Sequence, residues 1–223
     1  MSNSKSRVYL NKLTLYNYRT YSSCPEPTVI EFSPDPKKPI TIIHGESGEG
    51  KTTIMNAIHW CLYGREKTLK ESDETILSKD VVEELKLNES NETYVIADMY
   101  DEDGLLYRIT RTVNFTRTNM TDKVRFEKEL FGTINVGIVW RSNLTFQYRD
   151  HKGQMETLDD IEGKEYIKSV FPEILSSYIL FDAELLNNFL YQKADKMIKQ
   201  GIEKISDLPL LEEAIEHFQN TSS

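Results

Sequence analysis

Hydrophobic and polar positions divide the chain into a strand-rich first two thirds and a helical last third. Val8, Leu10, Leu13, Leu15 and Tyr16 give residues 8–18 a strand pattern, and a short second strand is expected at 28–32 after the Pro25-x-Pro27 turn. Pro34, Pro36 and Pro39 then punctuate the approach to an apolar run, Ile40-Thr41-Ile42-Ile43, so the first fifty residues predict three strands. Ile54, Ala57, Ile58, Cys61 and Leu62 recur at helical spacing over 53–63. Residues 64–80 are polar and read as a loop or insertion, with a short helix at 81–87.

Strand-like runs at 94–100 and 105–113 flank Asp101-Glu102-Asp103-Gly104, which is a hairpin signal. Further strands are expected at 124–131, 134–140 and 144–148, followed by the polar turn Asp150-His151-Lys152-Gly153. The middle of the chain, 92–150, therefore reads as an antiparallel sheet. Helices are expected at 157–170, where Leu158, Ile161, Tyr166, Ile167 and Val170 are the apolar positions and Pro172 marks the stop, and at 185–205 and 208–218. Leu210, Leu211, Ala214, Ile215 and Phe218 form one apolar face of the last.

Between the strand at 40–43 and the helix at 53–63 lies Gly45-Glu46-Ser47-Gly48-Glu49-Gly50-Lys51-Thr52-Thr53, a Gly-x4-Gly-Lys-Thr loop. A nucleoside triphosphate's β-phosphate needs inward-pointing backbone N–H groups, and glycines at 45, 48 and 50 leave room for them. Lys51 is placed to reach the β- and γ-phosphates, the Thr52 hydroxyl is the expected Mg2+ ligand, and the helix N-terminus points at the phosphates. Gly45 through Thr53 are thus the candidate cofactor-binding residues, with ATP and Mg2+ as cofactors and Lys51 as a catalytic candidate.

Composition narrows this further. With 223 residues and 39% hydrophobic content, the chain can bury a substantial core, and no run is apolar enough for a membrane span or signal peptide, so a cytoplasmic location is the expectation. Cys24 and Cys61 make neither a disulfide framework nor a metal site, and Cys61 falls on the apolar helix face. The formal net charge of −9 argues against a surface that is basic throughout. Arg108, Arg111, Arg117, Lys123, Arg125 and Lys128 form a local basic stretch, read as a solvated hairpin face in preference to a phosphate-backbone contact.

Four segments together carry a family resemblance: Tyr16-Asn17-Tyr18-Arg19-Thr20-Tyr21, the P-loop, Ala57-Ile58-His59-Trp60-Cys61-Leu62-Tyr63-Gly64 and Tyr178-Ile179-Leu180-Phe181-Asp182-Ala183-Glu184. The chain resembles the N-terminal half of an SMC-like, ABC-type ATPase head. More narrowly it is similar to the DndD family of DNA phosphorothioation ATPases and to related DNA-repair and anti-phage ATPases. The resemblance implies an α/β P-loop NTPase N-lobe spanning 1–223, with an antiparallel β subdomain and C-terminal helices leading toward a coiled coil. It also implies that Arg19 touches the nucleotide. Two departures stand out: Ser47 replaces the asparagine of Gly-x-Asn-Gly-x-Gly-Lys, and Ala183 replaces the glycine of Phe-Asp-Gly-Glu.

No Leu-Ser-Gly-Gly-like signature or second strand ending in Asp-Glu follows the P-loop, so the chain is expected to complete an ATPase only with a C-terminal lobe. Asp182 and Glu184 keep two readings: carboxylates that hold Mg2+ through water and polarise the attacking water, or caps on the helix beginning at Leu185. Gln147 and Gln154 are further candidates for a nucleotide-sensing glutamine. The leading expectation is a DNA-directed ATPase head that forms head-to-head homodimers, meets DNA within a larger complex, and works with nuclease or modification partners. A regulatory module that holds ATP without turnover is the alternative. A small-molecule kinase is a third, disfavoured by the antiparallel middle of the chain.

Overall fold

The computed structural model describes residues 8–22, 26–33, 35, 37–38, 40–65, 76–117, 138–173, 176 and 180. The expected strand at 124–131, Cys24, the helices at 185–205 and 208–218, and Asp182 and Glu184 lie outside the described residues. Two compact units divide the chain, Met1–Val170 and Phe171–Ser223. In the second, the Leu180 amide donates to the Ser176 carbonyl at 2.7 Å.

The first unit is built on one six-stranded sheet in the order β2-β1-β3-β4-β5-β6, antiparallel at every pairing. Its strands are β1 (Tyr9–Tyr16), β2 (Thr28–Glu31), β3 (Ser90–Asp101), β4 (Gly104–Arg117), β5 (Ile138–Arg149) and β6 (Met155–Leu158). Three helices accompany them: α1 (Lys51–Tyr63), α2 (Lys79–Glu84) and α3 (Asp160–Val170).

Strand alternation sends every second side chain to one face, and the register aligns those residues in rows across the sheet. Leu13, Ala97, Ile109 and Phe146 form one such row, and Leu15, Val95, Arg111 and Leu144 the next. All eight are buried. Helix α1 covers this face, where the Cys61 thiol donates to the carbonyls of Val95 and Ile109 at 3.5 and 3.4 Å. Helix α3 covers the β5 end and comes close to it at Gly163, where a Cβ would stand 3.0 Å from the Phe146 Cβ. Asp159 starts α3 by accepting from the amides of Ile161 and Glu162, both at 2.9 Å.

Several expectations change. The sheet is wider than 92–150, since β1, β2 and β6 belong to it. Strands expected at 134–140 and 144–148 are, from Ile138 onward, one strand, because Ser142 and Asn143 pair with Val113 and Thr112 instead of turning. Residues 157 and 158 belong to β6, so α3 starts later than expected, and Ile161 and Val170 of the expected apolar stripe are exposed. The short helix at 81–87 lies earlier, as α2.

The largest difference is at 40–46. No strand forms there among the described residues, and Ile40 and Ile42 are 78% and 86% exposed. The apolar pattern reads as a buried strand, but a strand needs neighbours for its backbone groups and cover for its side chains. In the described sheet no strand pairs with this segment.

Candidate phosphate-binding loop

Residues 46–49 form a turn in which the Glu49 amide donates to the Glu46 carbonyl at 3.4 Å and Gly48, third in the turn, has φ +92°. Gly50, at φ +89°, is the N-cap of α1. That left-handed backbone is one only glycine adopts without strain.

Helix α1 begins bare. Its N-cap makes no side-chain hydrogen bond and its first turn contains no acid, so among the described residues no side chain caps the first-turn amides and the positive end of the helix dipole. The side chains of Lys51 and Thr52 are exposed beside that end. Lys51 Nζ donates to the carbonyl of Gly45 at 2.6 Å and to that of Glu46. Gly45, Glu46, Ser47, Gly48, Glu49, Gly50, Lys51 and Thr52 are therefore one continuous structure, while Thr53 is buried at the base of the helix.

A second loop is folded against this one. Asn17 and Arg19 both take left-handed backbone, φ 51° and 52°, with Tyr18 fully buried between them. Asparagine tolerates that region best among residues with side chains. The Asn17 side chain donates to Asn91 Oδ1 at 3.3 Å and to the Glu92 carbonyl at 3.1 Å, and the Arg19 amide donates to the Ile76 carbonyl at 2.9 Å. Tyr18 packs on Trp60 of α1 with ring centroids 5.4 Å apart.

These contacts aim the loop's far end at the N-cap: Tyr21 Oη donates to the Gly50 carbonyl at 3.2 Å. Burial raises the Tyr21 phenol above its ordinary value. The structure thus joins the Arg19 loop to the P-loop. Tyr21 itself is a contact that sequence reasoning missed, although it lies in the quoted Asn-Tyr-Arg-Thr-Tyr segment.

Lys123, Arg125 and Lys128 of the basic stretch lie outside the described residues, and its other three members each have a partner within the fold. Arg108 pairs with Asp98 at 2.7 Å, Arg117 donates to the Leu85 carbonyl at 2.7 Å, and Arg111 is buried under α1. Cys61 is core, its thiol pushed up to about 12 by burial, against the lowering effect of Arg111. Gln147 donates to Thr157 Oγ1 at 3.2 Å across the β5–β6 pair, and Gln154 closes the neighbouring turn.

The loop fits a magnesium nucleotide. Gly48 and Gly50 take left-handed backbone, the helix end has no side-chain cap, and a lysine stands beside it. Mg2+ keeps several waters and takes few protein ligands besides phosphate oxygens, so the single Thr52 hydroxyl is a sufficient protein donor. Among the described residues no cluster of three His, Cys, Asp or Glu could hold a metal, and no helix is long and apolar enough to cross a membrane.

No curated protein matches the chain. Comparison with protein families matches the AAA domain over residues 12–222. With its glycine cradle, uncapped helix and lysine set within a match of that extent, the chain belongs to the AAA domain family and is an ATP-binding domain of the SMC-like P-loop ATPase class.

Proposed function

We propose that this chain is the ATP-binding N-terminal lobe of a DNA-directed ATPase in a DNA modification, repair or anti-phage system, of the kind found in the DndD family. It hydrolyses ATP at a head-to-head interface once a C-terminal lobe completes it. The observation that carries the reading is the exposed apolar segment at 40–43 leading into the P-loop, which pairs with no strand of the described sheet. Isoleucines in water beside the nucleotide loop are what a lobe exhibits when the strands that cover it come from elsewhere.

Each residue then has a role. The amides of 45–50 and the start of α1 would surround the phosphates, Lys51 would neutralise charge on the β- and γ-oxygens, and Thr52 would hold Mg2+, which would supply charge stabilisation for phosphoryl transfer. Arg19 approaches from the adjacent loop. Asp182 would help to hold Mg2+ and Glu184 would polarise the attacking water.

The test is ATP turnover by the chain alone, with the C-terminal lobe, and with both plus DNA. Negligible turnover alone and turnover on addition of the second lobe are expected, and Lys51→Ala removes ATP binding. Full turnover by the isolated chain overturns the half-site reading. Normal ATP binding by Lys51→Ala overturns the P-loop assignment.

A further inference from the structure

The P-loop carries an anion of its own. Glu49 Oε2 accepts from the Glu46 amide at 2.7 Å. The bond closes the 46–49 turn with a carboxylate, ahead of the N-cap Gly50. The same oxygen lies 2.7 Å from where a Cβ on Gly45 would stand, so the carboxylate fills the space that Gly45 leaves open. In a phosphate-binding loop, an inward amide and the room left by a missing side chain are what a phosphate oxygen uses. Lys51 meanwhile directs its ammonium to the carbonyls of Gly45 and Glu46. Both the anion-binding amide and the cation of the loop are satisfied from within.

We propose that Glu49 is an intramolecular competitor for the triphosphate, and that its carboxylate holds the Glu46 amide and the space over Gly45 until nucleotide phosphates displace it. This rests on the P-loop reading and deepens it by naming what sets ATP affinity. The apparent Kd is the intrinsic value divided by the fraction of loops whose acid has swung out. Incoming phosphates repel the carboxylate, so nucleotide entry and release of Glu49 are one event.

Charge and occupancy are separable by substitution. Glu49→Gln keeps the reach and loses the charge. Glu49→Asp keeps the charge but is one methylene shorter, which costs it the reach back to Glu46. Calorimetric titration of Mg-ATP into the full chain compares the wild type, both variants and Lys51→Ala, with denaturation midpoints establishing that each is folded.

Both Glu49 variants are expected to bind about three- to tenfold more tightly than wild type. Both should also shift the Glu46 amide resonance in the absence of nucleotide. If wild type binds and neither variant is tighter, the competitor is overturned. Tighter binding by Glu49→Gln with wild-type affinity for Glu49→Asp also overturns it, because simple charge repulsion then accounts for the effect. If neither the wild type nor a Glu49 variant binds Mg-ATP, the P-loop reading fails and takes this proposal with it.

Discussion

The Arg111 guanidinium donates from Nε to the Cys61 carbonyl at 3.0 Å, and from Nη2 to that of Leu62 at 3.2 Å. Those carbonyls belong to the last turn of α1, which contains no basic residue of its own. A helix ends in unpaired carbonyls and a partial negative charge. Here a cation from the sheet meets both, and its face lies 6.0 Å from the Trp60 ring centroid. The nucleotide helix is thus closed at its C-terminal end from β4 and left open at its N-terminal end, where phosphates would complete it.

Arg111→Ala should destabilise the first unit by about 3 kcal/mol, since two buried carbonyls lose a charged donor. Arg111→Lys keeps the charge without the two-pronged donor and should recover only part of that loss. Urea denaturation of the two variants measures both. Equal stability of Arg111→Ala and wild type would mean that the buried guanidinium contributes nothing net, burial having already pushed its pKa down.

Cys61 gives a pH dependence with a definite sign. Burial first, and against it the field of Arg111, leave the folded thiol near 12, whereas the unfolded thiol titrates near 9.0. The folded state therefore holds the proton more tightly. Its contribution is complete below pH 9 and falls as the pH climbs toward 12. The slope is at most about 1.4 kcal/mol per pH unit. Denaturation midpoints from pH 8 to 11 should drop more steeply for the wild type than for Cys61→Ala, both in a Cys24→Ser background.

Two glycines of the loop separate conformational strain from crowding. At Gly48, φ is +92° and a Cβ would meet nothing within 4 Å, so Gly48→Ala should cost about 1 kcal/mol of strain. At Gly50, φ is +89° and a Cβ would stand 3.0 Å from both Thr20 Oγ1 and Tyr21 Oη. Gly50→Ala should therefore cost about 2–3 kcal/mol, because it adds displacement of the Tyr21 hydrogen bond to the strain. Thermal melts of the two variants rank them, and equal losses would mean that the Tyr21 contact yields freely.

What the sequence made legible follows the range of the interactions involved. The P-loop, α1 and the turn at 101–104 rest on local chemistry, glycine conformation and helical spacing, and these can be read along the chain. Arg111 could not be read that way. It shares a basic stretch with Arg108 and Arg117, and only the register, which places it in a row with Leu15, Val95 and Leu144, reveals it as a buried residue. Ser142 and Asn143 look like a turn for the same reason: their strand identity comes from β4, some thirty residues earlier in the chain. Strand β6 went unread, its last two residues assigned to the adjoining helix, because four residues give alternation too little length to register.

The segment at 40–43 presents the opposite case, a strand pattern whose partners are missing from the described sheet. If Ile40 and Ile42 await strands from a second lobe, their value lies in assembly and not in the stability of this chain. Ile42→Ser should then move the denaturation midpoint of the isolated chain by no more than about 0.5 kcal/mol, the range of ordinary surface substitutions. It should nevertheless weaken capture of the C-terminal lobe, since burying an isoleucine there contributes about 1.5–3 kcal/mol, roughly ten- to a hundredfold in Kd. Val29→Ser, at an exposed position on β2, is the control: it should leave capture unchanged. Binding of the two lobes, followed by calorimetry with each variant, decides the matter. Undiminished capture by Ile42→Ser would detach the exposed isoleucines from lobe assembly and remove the main support for a divided ATPase site.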